Sequence, residues 1–101
     1  MSATDACERI LAAPGVLGLE TRRDFRQEAV AMLDGMPEGV GRLVVDLAKT
    51  TRVDSAGLGA LMLVQRRATE RRQTVALRHA SDEIRFLLAL TKLADLFDFE
   101  S

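Results

Sequence analysis

The order of hydrophobic and polar positions divides this chain into alternating strands and helices. Phe25, Ala29 and Leu33 recur at helical spacing with charged residues between them, which predicts an amphipathic helix capped by Thr21. The following segment, 34–41, is dense in glycine with one proline. It is therefore predicted to be a loop.

Short apolar runs bounded by turn residues predict the strands. Arg42 to Asp46 and Thr74 to Arg78 have the composition of buried strands. Leu96 to Phe99 predicts a last strand at a sheet edge. Near the start of the chain, Glu8 to Ala12 and Val16 to Leu19 each predict a short strand, with a Pro-Gly turn between them.

Two further helices are predicted, one from Ser55 to near Arg72 and one that opens at Ser81 with an acidic first turn. Strands that alternate with helices at these lengths indicate an α/β fold with a strand–helix–strand crossover. The length of 101 residues fits one domain over positions 1–101.

The predicted second helix has an unusual composition. Every residue from Ala56 to Val64 is apolar or glycine, whereas Gln65 to Arg72 is rich in arginine. A helix that is apolar all round should be buried all round, but a small domain covers only one side of it, so part of Ala56 to Met62 is predicted to form an exposed docking surface. Gly57 and Gly59 each cost about 1 kcal/mol relative to alanine in a helix. They either admit a partner's backbone or let the helix pack tightly on the sheet.

Ser55 stands where a strand-like run ends and this helix begins. Its side-chain oxygen is predicted to cap the helix by accepting from the amide of Gly57 or Leu58. Free amides and the helix dipole also favour a phosphate at that end, so the hydroxyl could be switched without unfolding the protein. The predicted docking surface consists of Asp54, Ser55, Ala56, Gly57, Leu58, Gly59 and Met62.

The sequence does not support catalysis. A serine nucleophile needs a base, but the only histidine is His79, at the end of a predicted strand. Val53 occupies the position where a nucleophile elbow requires glycine. The glycines of segment 34–41 are not followed by the Gly-Lys-Ser/Thr of a P-loop, and one cysteine with one histidine cannot assemble a zinc site. We therefore expect no enzyme activity, no metal and no cofactor.

Charge and cysteine content narrow the class of partner. The chain has 14 basic and 15 acidic residues, a balance that indicates neither nucleic acid nor an anionic membrane surface and favours protein contacts. Cys7 is the only cysteine, and the residues around Asp5 and Glu8 lack the layout of a signal peptide. No stretch approaches the roughly 20 apolar residues that span a bilayer. We expect a cytoplasmic protein without direct membrane insertion.

Three segments resemble a known family: Leu43 to Leu47, Val53 to Leu61 with its Asp-Ser-Ala-Gly-Leu-Gly element, and Val75 to Leu77. Together they resemble the STAS domain family (sulfate transporter and anti-sigma factor antagonist) over roughly residues 42–99. The resemblance implies a central mixed β-sheet of about four or five strands with three or four helices mainly on one side. The residues before Pro14 are short for the family's opening strand, so a trimmed edge strand is expected there.

In bacterial anti-sigma factor antagonists of this family, the serine after the aspartate is phosphorylated by an anti-sigma factor that is also a serine kinase. The resemblance implies that Ser55 is the phosphate acceptor of a partner switch. One feature departs from the family pattern, because the acidic residue expected before the first helix is missing at the matched positions, 15–18. Glu20 lies two residues further on.

Three alternatives remain open at this point. The chain could be the STAS subunit of a lipid-handling ABC transporter, where a small domain of this type sits on the ATPase. It could also be a STAS scaffold that is never phosphorylated. The exposed half of the second helix could instead form a homodimer.

Overall fold

A computed structural model describes residues 7–100, so the prediction that concerns Asp5 lies outside the described residues. Within that range the strands are β1 Glu8–Ala12, β2 Val16–Leu17, β3 Arg42–Asp46, β4 Arg52–Val53, β5 Thr74–Arg78 and β6 Asp98–Glu100. The helices are α1 Arg22–Asp34, α2 Ser55–Glu70 and α3 Asp82–Leu90, with a 3-10 turn at Ala94–Leu96. The predicted α/β fold is confirmed.

Four strands form the main sheet in the order β1-β3-β5-β6, and all three pairings are parallel. Over residues 7–100 the sheet is therefore parallel, and the expectation of a mixed sheet is wrong. Each pair of neighbouring strands is joined through a helix, which returns the chain to the same end of the sheet. β2 and β4 pair in parallel as a separate two-stranded ribbon.

One face of the main sheet packs against the helices. Side chains alternate between the faces of a strand, and the inward-facing residues of β3 and β5 join apolar residues of all three helices in one core, which confirms the predicted one-sided packing. This core includes Leu43, Val45, Val75 and Leu77 from the strands and Ala29, Leu33, Leu61, Val64, Ile84 and Leu88 from the helices.

The opposite face of the sheet carries a network of ion pairs. Arg42 pairs with Asp98 at 2.8 Å and with Glu100 at 2.7 Å. Arg78 pairs with Glu100 at 2.9 Å. These side chains lie on the same face as Val44, which is fully buried although it lies outside the main core. Long arginine side chains can cover apolar surface while their charged ends stay solvated, so this face does not need a helix.

Three boundaries of helices or strands in the structure differ from the predicted ones. α2 ends at Glu70 rather than near Arg72, since Arg72 adopts a positive φ of 55° that ends a right-handed helix. β2 stops at Leu17. The last strand begins at Asp98 because a 3-10 turn takes up the residues before Phe97.

The strand predicted over Glu8–Ala12 is β1, which pairs only with β3 among the described residues and so lies at one edge of the described sheet. Pro14 falls outside β1 and so removes no hydrogen bond from the sheet. None of the helices within residues 7–100 has the length and apolar composition that crossing a bilayer requires.

Candidate functional site

Helix α2 begins at Ser55, as predicted, but its cap is a different residue. The carboxylate of Asp54 accepts a hydrogen bond from the Gly57 amide at 2.9 Å. Asp54 has the extended backbone of an N-cap residue, with φ −94° and ψ −176°. Ser55 is the first helical residue and is exposed, and its hydroxyl makes no hydrogen bond within the described chain. The prediction that Ser55 caps α2 is wrong, because the aspartate before it takes that role.

Asp54 also holds the loop before α1. Its second carboxylate oxygen accepts from the Leu19 amide at 3.3 Å. The bond from the Gly57 amide is the main cause of the lowered pKa of Asp54, and the Leu19 amide lowers it further. A carboxylate with both oxygens engaged is a structural anchor that joins α2 to the β2–α1 loop.

Gly18, within the segment where the family pattern has an acidic residue, leaves room for the carboxylate of Asp54. A Cβ at position 18 would overlap the carboxylate of Asp54, so any side chain there would push Asp54 away from the amides that it accepts from. The nearby Glu20 is exposed. The absence of a side chain at position 18 is therefore part of how this chain holds Asp54.

Thr21 also differs from its prediction. It lies at the N-cap position of α1 but makes no side-chain capping bond. Its hydroxyl instead donates to the carbonyl of Val16 at 2.7 Å and accepts from the Gly18 amide at 3.0 Å. Thr21 closes the β2–α1 turn on which Asp54 depends.

The two glycines of α2 have different surroundings. A Cβ at Gly57 would overlap the carbonyl of Leu17, whereas a Cβ at Gly59 would meet nothing within 4 Å. Gly57 is buried and lets α2 approach β2 closely. Of the two predicted roles for these glycines, Gly57 therefore has the one in which the helix packs tightly on the strands. Gly59 is partly exposed and faces open space, where a partner could approach.

Part of the apolar half of α2 is exposed, as its composition indicated. Met62 and Leu63 are each 41% exposed. Leu58 packs against the core instead, and Gly57 is buried. The residues of α2 that face outward form a stripe at helical spacing, which consists of Ser55, Ala56, Gly59, Met62 and Leu63.

A groove of about 330 Å³ lies between α1 and α2. We call it the α1/α2 groove. Its lining consists of Arg22 and Arg26 from α1 and of Ser55, Ala56, Gly59, Ala60, Met62, Leu63 and Arg66 from α2. The predicted docking residues did not include five of these lining residues, namely Arg22, Arg26, Ala60, Leu63 and Arg66. The spacing of Arg22 and Arg26, one helical turn apart, was the available signal, but it also fits a solvated helix face.

His79 lies away from this groove. Its Nδ1 is 3.1 Å from Oδ1 of Asp46, at the ends of the two central strands. The Ala48 amide is the main cause of the lowered pKa of Asp46, and His79 lowers it further. His79 is not among the residues that line the groove beside Ser55.

Comparison with known proteins identifies the family. The family model described as "Mlab, STAS domain" matches residues 2–98. A STAS-domain containing protein of Pseudomonas aeruginosa (strain UCBPP-PA14) is 30% identical over 99 residues, which covers 96% of this chain and 92% of that protein. The chain belongs to the STAS domain family, as its Asp-Ser-Ala-Gly-Leu-Gly element implied.

Two solved structures share the fold. A Thermotoga maritima protein described as a candidate anti-sigma factor antagonist has a TM-score of 0.78 at 20% identity, over 93% of this chain and 80% of its own. The anti-sigma factor antagonist SpoIIAA of Bacillus has a TM-score of 0.75 at 12% identity, over 95% of this chain and 82% of its own. SpoIIAA has been solved in unphosphorylated and phosphorylated forms. At these identities the likeness concerns the fold.

Proposed function

We propose that this chain is a non-enzymatic partner switch of the anti-sigma factor antagonist type. Unmodified, its outward-facing stripe on α2 docks on a serine-kinase-like anti-sigma factor. Phosphorylation of Ser55 then ends the docking. The observation that carries this proposal is that Ser55 is exposed, that its hydroxyl has no hydrogen-bond partner within residues 7–100, and that it belongs to the outward-facing stripe that contains Met62.

The position of Ser55 suits a modification that leaves the fold intact. Asp54 supplies the capping bond, so phosphorylation of Ser55 removes no hydrogen bond from the described chain. The amides and dipole at the start of a helix favour negative charge, with a typical contribution of about 0.3–1 kcal/mol. The phosphorylated protein should therefore remain folded.

The same phosphate would oppose docking. It adds about −1.5 to −2 charges at neutral pH beside Asp54, whose lowered pKa keeps it ionised there. Moving these charges into an interface requires the loss of their hydration. Each loss of about 1.4 kcal/mol weakens binding tenfold, so a few kcal/mol is enough for release.

Membership of the STAS family and the shared fold with SpoIIAA support the proposal. A STAS subunit on the ATPase of an ABC transporter would dock through the same kind of surface without needing phosphorylation. The identity of the partner distinguishes the two. A serine-kinase-like ATPase supports the switch, and a transporter ATPase with its permease supports the alternative.

The test begins with affinity purification of the chain from its native host. The purified partner is then incubated with the chain and ATP, and the intact mass is measured. We expect a gain of one phosphate, which fragmentation places on Ser55 rather than on Ser81, and which Ser55→Ala abolishes. A mass shift that survives in Ser55→Ala would remove Ser55 as the switch.

A charge at position 55 should reproduce the released state. We expect Ser55→Asp to weaken binding to the purified partner while its thermal unfolding midpoint stays close to that of the wild type. Calorimetry of binding and thermal melting of the same samples measure both quantities. A variant that unfolds would instead show that Ser55 is needed for the fold.

A further inference from the structure

The α1/α2 groove combines an apolar lining with cations at both ends. The two helices follow the parallel strands β2 and β4 of the two-stranded ribbon, and their C-terminal halves are joined by the ion pair of Arg67 with Asp34 at 2.8 Å. Arg22 belongs to the first turn of α1, beside the start of α2, and Arg66 lies 11 positions after Ser55. At a rise of 1.5 Å per residue, that separation is about 16 Å along α2.

These arginines have no ion-pair partner in the described chain. No ion pair within residues 7–100 involves Arg22, Arg26 or Arg66, whereas Arg67 and Arg71 both pair with Asp34. The residues that line the groove include no aspartate or glutamate. The groove lining therefore carries three positive charges and no negative one, although the whole chain has a net charge of −1.

Small residues leave room for another helix. The groove contains Ala56, Gly59 and Ala60, and a Cβ at Gly59 would meet nothing within 4 Å. Met62 and Leu63 beside them are each 41% exposed. Methionine adapts to irregular apolar surfaces, and an amphipathic helix that lays its apolar face into such a groove is a common mode of peptide recognition.

From this juxtaposition we infer that the α1/α2 groove binds an acidic amphipathic helix of the partner protein. The apolar stripe of that helix covers Gly59, Met62 and Leu63. Its carboxylates pair with Arg22 and Arg26 near the start of α2 and with Arg66 about three turns further along. The inference rests on the proposed function, because it takes α2 as the docking face and specifies the chemistry of what docks there.

The inference also changes how a phosphate on Ser55 would act. Ser55 lines the groove together with Arg22 and Arg26, so its phosphate would enter the end of the groove that receives the partner's carboxylates. Arginine pairs strongly with phosphate as well as with carboxylate. The phosphate would therefore compete for the arginines, in addition to resisting desolvation.

Two fluorescein-labelled synthetic peptides of 18 residues test the groove with the full-length chain. Both peptides carry the same leucine and alanine stripe, flanked by glutamate in one and by lysine in the other. We expect the glutamate peptide to bind, more weakly as salt is raised, and the lysine peptide not to bind. The double variant Arg26→Glu with Arg66→Glu should weaken binding of the glutamate peptide about tenfold or more.

Arg23→Glu is the matched control, because Arg23 is an exposed α1 residue outside the groove lining. It should bind the glutamate peptide like the wild type, and circular dichroism should show that all variants are folded. Equal binding of the two peptides would overturn the inference. The inference would also be overturned if Arg23→Glu weakened binding of the glutamate peptide as much as the double variant does. Binding to phosphatidylglycerol vesicles that is tighter than binding to the glutamate peptide, and that the double variant loses, would overturn it as well.

A chain synthesised with phosphoserine at position 55 tests the competition. Binding of the glutamate peptide should weaken while binding of the lysine peptide increases, because a phosphate charge of about −1.5 to −2 cancels most of the positive charge of Arg22 and Arg26 at that end of the groove. Unchanged binding of the glutamate peptide would overturn the placement of the phosphate in the groove. If the host's partner does not phosphorylate Ser55, the proposed function is overturned. Binding of the glutamate peptide to the unmodified chain would still support the inference about the groove.

Discussion

At the scale of single residues, Asp54 and Ser55 divide two tasks between neighbouring positions. Asp54 accepts from the amides of Gly57 and Leu19 and so fixes the start of α2 against the β2–α1 loop. The hydroxyl of Ser55 contributes no hydrogen bond to the described fold. The stability of the site and its availability for modification therefore depend on different side chains.

We expect Asp54→Ala to lower the thermal unfolding midpoint clearly, because α2 loses its capping bond, while Ser55→Ala leaves the midpoint almost unchanged. The pKa of Asp54 is lowered from its ordinary value of 3.8 in the folded protein. Its contribution is therefore present above about pH 4 and is lost as pH falls through the folded-state pKa.

Thermal melts of both variants at pH 7 and at low pH check this difference. The gap between wild type and Asp54→Ala should narrow in acid. Equal losses of stability in the two variants at pH 7 would contradict the division of roles.

At the scale of secondary-structure elements, α2 has one side fitted to the sheet and the other left open. Gly57 faces the carbonyl of Leu17 on β2, and Gly59 faces open space two residues later. In a helix, positions two residues apart point in clearly different directions. The same residue type thus serves close packing at one position and leaves the α1/α2 groove open at the other.

The two glycines should respond in opposite ways to substitution by alanine. Gly57→Ala should destabilise the protein by about 1–3 kcal/mol, because the added methyl overlaps backbone that cannot move away cheaply. Gly59→Ala should stabilise it by up to about 1 kcal/mol, because alanine is the better helix former and meets no obstacle there. Urea unfolding of both variants measures their free energies of unfolding. A loss of stability in Gly59→Ala would contradict the claim that position 59 faces open space.

Local sequence patterns predicted several elements well. The strands Arg42–Asp46 and Thr74–Arg78 have the predicted bounds, because each is a short apolar run with turn residues on both sides. The start of α2 at Ser55 was also predicted. The parallel direction of every strand pair in the described sheet was not, since strand direction depends on how the chain crosses over rather than on composition.

The candidate site was only partly predictable. The Asp-Ser-Ala-Gly-Leu-Gly element and the exposed apolar stripe were evident from the sequence. The capping role of Asp54 depends on backbone angles at the strand end, and the groove depends on Arg22 and Arg26 meeting α2 from another helix. Only the tertiary fold brings residues of α1 and α2 together, so their separate patterns looked like ordinary solvated surface.

At the scale of the whole molecule, the sheet has a helical face and a charged face. Arg42 reaches Glu8 at 3.6 Å on β1 as well as Asp98 and Glu100 on β6, so its contacts link the two outer strands of the main sheet. Arg78 joins the network through Glu100. A network of this kind supports all four strands, whereas an isolated surface ion pair contributes little.

The charged face predicts how the protein responds to acid. Hydrogen bonds from Arg42 and then Arg78 lower the pKa of Glu100 below its ordinary value of 4.5. A carboxyl whose pKa is lowered by folding stabilises the protein above its unfolded-state pKa, and this contribution is lost as pH falls through the folded-state value. We expect Glu100→Gln to be less stable than the wild type at pH 7, by up to about 1 kcal/mol.

The difference should shrink steadily below about pH 4.5, as the wild-type carboxylate becomes protonated. Denaturant unfolding between pH 3 and pH 7 measures the difference in stability between Glu100→Gln and the wild type. The matched control is Glu38→Gln. Glu38 is exposed in the loop after α1 and forms no ion pair with the described residues. A constant difference between Glu100→Gln and wild type over this range would contradict the network's role.

The separation of Asp54 from Ser55 also bears on how such a protein can change over time. If Ser55 is the switch that we propose, a substitution at position 55 would abolish regulation while the aspartate keeps α2 in place. The result would be a folded protein that docks permanently, and a duplicated copy could become a constitutive subunit of an assembly through one nucleotide change. Regulated and unregulated descendants of such a chain would then differ at one exposed hydroxyl rather than in their architecture.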